Sequence, residues 1–218
     1  MDNKQKTLHN FYLNDLTSID TTHDFRVKSK HPEYWDFDGT VSTIDWSNKN
    51  IWFWSDTHFH HKNIIRYSDR PFVDLDDMHD NMVLMHNELV QPDDIVIWGG
   101  DVGFGAESKI NDIVNRCNGY KILIVGNHDF HKRGQLYNLN FNEIHPCLVL
   151  DHDDITFWIT HYPLDTVPVN TVNIHGHTHT KCLFPYNFNV SVEQIGYKPV
   201  KIEELVWRAK EYFKQING

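Results

Sequence analysis

Five apolar runs in this chain each end in a short string of metal-donor side chains, a coupling that restricts the possible folds more than any other feature. Ile51 to Trp54 leads into Asp56-Thr57-His58, Ile95 to Trp98 into Gly100-Asp101, and Ile122 to Val125 into Gly126-Asn127-His128-Asp129. Ile155 to Ile159 leads into Thr160-His161, and Val172 to Ile174 into Gly176-His177-Thr178-His179. Short apolar runs bounded by glycine and polar residues have the pattern of buried strands. Each donor string therefore sits just past a strand end. One Asp-x-His or His-x-His alone is weak, because such pairs arise by chance. Their recurrence after strand after strand points to one converging site.

Between these runs the periodicity changes. Met78, Met82, Met85 and Leu89 recur at helical spacing and Gln91-Pro92 stops that helix. Ile110, Ile113, Val114 and Cys117 predict a second helix, ended by Asn118-Gly119. Leu148 to Leu150 and Ile155 to Ile159 flank Asp151-His152-Asp153-Asp154 as a hairpin, and Ile202, Leu205, Val206, Ala209 and Phe213 mark a terminal amphipathic helix. The methionines and the tryptophans Trp52, Trp54, Trp98 and Trp158 are read as core packing. Alternating strands and helices followed by strand-rich sequence predict an α/β (α+β) chain with two packed sheets, helices outside and the donors along one edge.

The domain so defined covers 51–218. Residues 1–50 form an N-terminal extension in which Tyr34 to Phe37, Asp38-Gly39 and Thr40 to Trp46 predict a β-hairpin over 34–46. It is read either as a substrate-selecting arm or as an added edge ribbon or tail. No segment approaches the run of apolar residues that a membrane helix requires, and Met1 to Asn10 lacks an apolar signal core. Cys117, Cys147 and Cys182 are isolated and odd in number, which suits reduced thiols and a cytoplasmic location. The net charge of -10 and the absence of a basic stripe disfavour long duplex nucleic acid as a partner.

Mixed carboxylate, amide and imidazole donors suit divalent transition metals, Mn, Fe, Ni or Zn, better than magnesium alone. Two such ions close together need a shared anionic ligand, for which Asp101 is the candidate. A hydroxide bridging the ions would attack a phosphate ester, and His128 would assist the leaving group, with Asp129 orienting the imidazole. Glycines Gly99, Gly100, Gly126 and Gly176 would turn the backbone off the strands and bring the donors inward.

As a set, these strings resemble the signature of calcineurin-like metallophosphoesterases over about residues 51 to 195. The resemblance implies a four-layer αββα sandwich of two mixed β-sheets. It also implies a dinuclear centre with Asp56, His58 and His179 on one metal, Asn127, His161 and His177 on the other, Asp101 shared, and His128 catalytic. Phe104 stands where purple acid phosphatases carry a tyrosine, which argues against a tyrosinate-bound ferric site. Gly103-Phe104-Gly105 and Asp129 replace the Asp-Arg-Gly string and the Glu of serine/threonine protein phosphatases. The chain is more similar to small bacterial and phage-type phosphoesterases, in which a stretch like His58 to Arg66 follows the first motif. Within that stretch, Arg66, Asn63 and His61 are candidate substrate contacts, through a guanidinium fork and polar side chains near the metals. His60 and His61 have as their alternative a supporting or solvated role, and Arg66 an ion pair with Asp69 or Asp74.

The expected activity is hydrolysis of a phosphodiester or phosphomonoester, with a small nucleotide-like substrate favoured. A structure-specific nuclease is the runner-up. A non-catalytic scaffold of the same fold is the remaining alternative, against which stands a competent donor at every metal position.

Overall fold

The computed structural model describes Trp46, residues 48–132 and residues 134–217. The hairpin predicted over 34–46 lies outside these residues except for Trp46, which packs against the core between the sheets.

Strands β1 (Ile51–Trp54), β2 (Ile95–Trp98) and β3 (Tyr120–Ile124) pair in parallel. β4 (Glu143–His145) extends this sheet in parallel, and β9 (Val200–Lys201) closes the other edge antiparallel to β1. The order is β4-β3-β2-β1-β9. β5 (Cys147–His152), β6 (Ile155–Thr160), β7 (Thr171–His175) and β8 (Asn187–Asn189) form a second sheet in that order, in which only β5 and β6 are antiparallel. Both sheets are therefore mixed. Asp153 and Asp154 join β5 to β6 with both residues in the left-handed region, φ 54° and 62°, as a tight two-residue hairpin turn demands.

Continuous apolar runs arise because the first sheet is buried on both faces. Ile51, Phe53, Ile95, Ile97, Ile122 and Ile124 meet Phe157, Ile159, Val172 and Ile174 of the second sheet. Their alternating neighbours Trp54, Val96, Trp98 and Leu123 pack under two helices, α2 (Leu75–Leu89) and α3 (Glu107–Arg116), through Met78, Met82, Ile110 and Ile113. A short helix α1 (Ile64–Tyr67) precedes them. The Asp74 side chain accepts from the Asp77 amide and so caps α2, and Val90 leaves it in an extended conformation ahead of Pro92. Because β9 runs antiparallel to β1, the C-terminal helix α4 (Ile202–Asn217) starts at the end of the sheet away from the donor strings. There Ile202, Leu205, Val206 and Ala209 join the core between the sheets, and Lys210 pairs with Asp153 at 2.5 Å.

The second sheet turns a different face away from the core. Thr160, Asn173, His175, Asn187 and Asn189 are buried there, and their side chains hold the loops that follow β6 and β7. Asn173 accepts from the Leu164 amide at 2.9 Å and donates to the Trp158 carbonyl at 2.8 Å. Asn189 donates to Thr178 Oγ1 at 2.9 Å and to the His179 carbonyl at 2.8 Å. No helix among the described residues is long and apolar enough to cross a membrane.

Candidate metal centre

Parallel strands bring the ends of β1, β2 and β3 to one edge, and β6 and β7 end beside them. The two sheets are joined at this point: Ser55 bridges Ser191, and the His177 amide donates to Asp56 Oδ2 at 2.9 Å. Ser191 Oγ donates to the same oxygen at 2.9 Å. Asp56 Oδ1 is thereby turned toward His58 Nε2 at 3.8 Å and His179 Nε2 at 4.0 Å. A second group forms around Asp101, His161 and His177, and within each group the donor atoms lie within 4.8 Å of one another. Asn127 Oδ1 stands 3.0 Å from both His161 Nε2 and His177 Nδ1. Asp101 Oδ2 faces both groups, 3.7 Å from His58 Nε2 and 3.6 Å from His161 Nε2.

Strain accompanies this convergence. Asp56, His58, Asp101, His177 and His179 all have left-handed backbones, with φ of 58°, 50°, 56°, 66° and 49°. Such conformations cost about 1–3 kcal/mol each and persist only where the surroundings impose them. Here Asp56 and His58 donate their amides to the carbonyls of Gly100 and Asp101, at 3.0 Å each. Gly100, at φ +97°, makes the turn expected of it. Gly176 serves another purpose, because a Cβ there would stand 2.1 Å from Ser55 Oγ and 2.3 Å from Asp56 Oδ2.

Electrostatics favour ligation. Burial drives the His58 ring well below its ordinary pKa, and burial with the charge of His161 lowers His177 to about 3, so both imidazoles keep free lone pairs. Burial works to raise Asp56, but the neighbouring His161, His179 and His58 outweigh it and hold the carboxyl low. Asp101 is raised by burial and by the charge of Asp56 beside it. Asp56 Oδ1 and both ring nitrogens of His58 are buried without a hydrogen-bond partner among the described residues. Bare buried polar atoms of this kind cost about 1–3 kcal/mol each, and a cation among them would remove that cost. The donor set fits divalent transition metals.

The model of the calcineurin-like phosphoesterase family matches residues 49–215. The chain belongs to that family. It is 33% identical over 172 residues to an uncharacterised protein of Methanocaldococcus jannaschii, across 73% of this chain and 91% of that protein. It is also similar to the crystal structure of a protein of unknown function from Aquifex aeolicus, with 26% identity and a TM-score of 0.58 over 72% of this chain and 98% of that one. The family is metal-dependent, and the two Asp/His groups described above are where this member could hold its ions.

Other residues named from the sequence divide into those at the centre and those away from it. The His128 amide donates to Asp101 Oδ1 at 2.8 Å, and its ring lies 5.7 Å from that of His58 and 4.9 Å from that of Phe104. Burial and the charges of His161 and His61 lower His128 to about 4. His61 stacks on Phe104 at 4.4 Å, next to His58 at 5.8 Å. Asn63 and Arg66 are exposed, and no hydrogen bond or ion pair joins either to a donor among the described residues. The Arg66 guanidinium lies 5.9 Å from the Tyr67 ring.

Asp129 needs a correction. It was expected to orient His128, but Oδ2 accepts from the amides of Asp101 at 2.9 Å and Gly126 at 2.7 Å, and Oδ1 from that of Val102 at 2.9 Å. Both oxygens thus accept from the backbone, and the side chain braces the loops after β2 and β3. Burial and the Asp101 carboxylate raise it to about 7.

Sequence reading also missed Arg70 and Glu193. Arg70 donates to the carbonyls of Asp56 and Thr57, each at 2.7 Å, and through Nε to Glu193 Oε1 at 2.9 Å. Glu193 Oε1 in turn stands 3.0 Å from His179 Nδ1. For Glu193 a signal existed, since it follows Val190-Ser191-Val192 in the same strand-then-acid pattern as the donors. Arg70 had none, because the oxygens it donates to lie 13 or more residues away.

Proposed function

We propose that this chain is a dinuclear metal-dependent phosphoesterase that hydrolyses a small, nucleotide-like phosphodiester or phosphomonoester. The observation that carries this reading is Asp101 Oδ2, which faces imidazole nitrogens of both donor groups at 3.7 Å and 3.6 Å, as a shared ligand must. Asp56, His58 and His179 would hold one ion and Asn127, His161 and His177 the other, each with Asp101. Bound Mn, Fe, Ni or Zn would supply charge neutralisation for the phosphoryl oxygens and a water nucleophile of lowered pKa.

His128 is the proposed proton donor to the leaving oxygen. Its backbone is tied to the shared Asp101, and its ring packs against both Phe104 and His58. Lowered to about 4, the ring is neutral in the free protein. A phosphoester anion beside it would raise it again, so protonation would follow substrate binding. His61, stacked on Phe104, is the better-supported substrate contact, whereas Asn63 and Arg66 would need to reach in from the surface. Asp129 keeps the loops rigid and so acts on positioning alone. An acidic chain suits small substrates, and its free cysteines suit the cytoplasm.

Metal analysis and a panel of nitrophenyl mono- and diesters, cyclic and linear nucleotides and an oligonucleotide test the reading. Two metal equivalents and turnover of a small ester are expected. His128→Gln should lower kcat by roughly 10²–10⁴-fold with both ions retained, most for poor leaving groups. A chain that takes up no divalent metal and stays inert across the panel would overturn the proposal, and activity on the oligonucleotide alone would replace it with a nuclease.

A further inference from the structure

We propose that Arg70 and Glu193 are positioning residues for one half of the centre: they hold His179 and the Asp56-Thr57-His58 turn, and the Asp101/Asn127/His161/His177 half does not depend on them. This rests on the dinuclear reading above.

The Arg70 side chain is fully buried, and all three of its nitrogens are engaged. Nε and one terminal nitrogen share Glu193 Oε1 at 2.9 Å and 2.7 Å. That same terminal nitrogen donates to the Asp56 carbonyl at 2.7 Å, and the other to the Thr57 carbonyl at 2.7 Å and to Met78 Sδ at 3.4 Å. One planar fork therefore fixes two successive carbonyls in the left-handed turn that presents Asp56 and His58. Only a guanidinium offers donors in that arrangement.

Glu193 carries the hold across to the other sheet. A carboxylate only accepts, so the His179 Nδ1 facing it at 3.0 Å must be the donor. In the neutral form of the ring the lone pair is then on Nε2, the atom that stands 4.0 Å from Asp56 Oδ1. Histidine ligands held by a carboxylate in this way are fixed in tautomer and orientation and made more basic. His161 has a neutral counterpart, since its Nδ1 meets the Gly99 carbonyl at 2.7 Å. Stability does not account for the pair, because a buried ion pair contributes little compared with apolar packing. Its geometry does account for it, since Arg70 and Glu193, 123 residues apart in the chain, join the two ligand loops.

Calorimetric titration of the full chain with Mn²⁺ tests this, with thermal melts to verify folding. Glu193→Gln keeps the shape and removes the charge, and Arg70→Lys keeps the charge and removes the fork. Both should bind one ion as the unmodified chain does and the other about 10 to 100-fold more weakly. The weakening should persist when His161→Ala disables the other half, and that of Glu193→Gln should vanish when His179→Ala is already present, whereas Arg70→Lys should keep the part that acts through the Asp56 and Thr57 carbonyls. Folded variants that bind both ions within twofold of the unmodified chain would overturn the proposal, as would equal weakening by Glu193→Gln in the His179→Ala background. If Arg70→Lys does not fold, Glu193→Gln decides alone. An unmodified chain that binds no Mn²⁺ would sink the dinuclear reading and this inference with it, whereas two bound ions with indifferent variants would sink only the inference.

Discussion

In the five-stranded sheet the loops after β1 and β2 go on pairing past the strand ends, with the amides of Asp56, His58 and Phe59 donating to the carbonyls of Gly100, Asp101 and Val102. In the four-stranded sheet the Gly176 amide likewise donates to the His161 carbonyl, but the loops after β6 and β7 hang in addition on side-chain amides, those of Asn173 and Asn189. The difference follows from what lies beneath each sheet. The first has hydrocarbon on both faces, under α2 and α3 on one side and against the other sheet on the opposite one, so main chain and a few side chains from outside its strands, Asp129, Thr57 and Arg70, fix its loops. The second spends its free face on buried Asn and Thr, whose hydrogen bonds reach the loops directly. It delivers imidazoles alone, His161, His177 and His179, while every oxygen donor comes from the first. Buried polar networks rigidify a structure when fully satisfied and are costly when broken. One sheet thus stabilises the domain and the other trades apolar contact for placement of ligands.

Substitutions can break this contrast in turn. Asp101→Asn removes the negative charge that faces both groups and, on the proposed function, should lower phosphoester hydrolysis by roughly a thousandfold, read from kcat/KM with metal content measured in parallel. Retained activity would detach the site from the first sheet. Met82→Ala, under the helical face, should cost about 2–5 kcal/mol in denaturant unfolding and leave metal affinity unchanged. Asn189→Ala should do the reverse, with a stability loss of about 1–3 kcal/mol and weaker metal binding, because the His179 loop loses its anchor. If Met82→Ala weakened the metals and Asn189→Ala did not, the division of labour between the sheets would be wrong.

The smallest effect at neutral pH concerns His86, wedged against Trp54 at 4.8 Å, with Nε2 buried and unpartnered among the described residues. Burial lowers its pKa to about 4 from an ordinary 6.5. The unfolded chain therefore takes up the proton first as pH falls. Stability declines from about pH 6.5 and levels off below about pH 4, by on the order of 3 kcal/mol from this residue. His86→Phe should be nearly neutral at pH 7.5 and flatten that acid loss, as chemical denaturation at pH 7.5 and 5 would reveal. An unchanged pH slope would show that the ring is already accessible to protons.

Periodicity was a sound guide wherever one face or both faces of an element meet hydrocarbon. The runs at Ile51 and Ile95 end where β1 and β2 end, and the methionine spacing marks the buried stripe of α2. The donors were legible for a related reason, since an acid or histidine directly after a buried strand has few uses other than ligation or capping. Asp129 misled because its neighbour His128 is close in sequence, while its actual partners are amides of the β2 loop, Asp101 and Val102. Arg66 stays at the surface, and Arg70, four residues on, is the arginine that turns inward.

By itself the sequence determined the apolar strands that end in donor strings and with them the family, because burial and metal chemistry each demand particular residue types at particular local spacings, whereas the short strands β4, β8 and β9 carried no such signal. The tertiary structure alone decided which donors stand together, that Asp101 faces both groups, and that Arg70 and Glu193 stand behind His179. Those relations join residues up to 123 positions apart, and only the packing of two sheets against each other brings such distant hydrogen-bond partners within 3 Å.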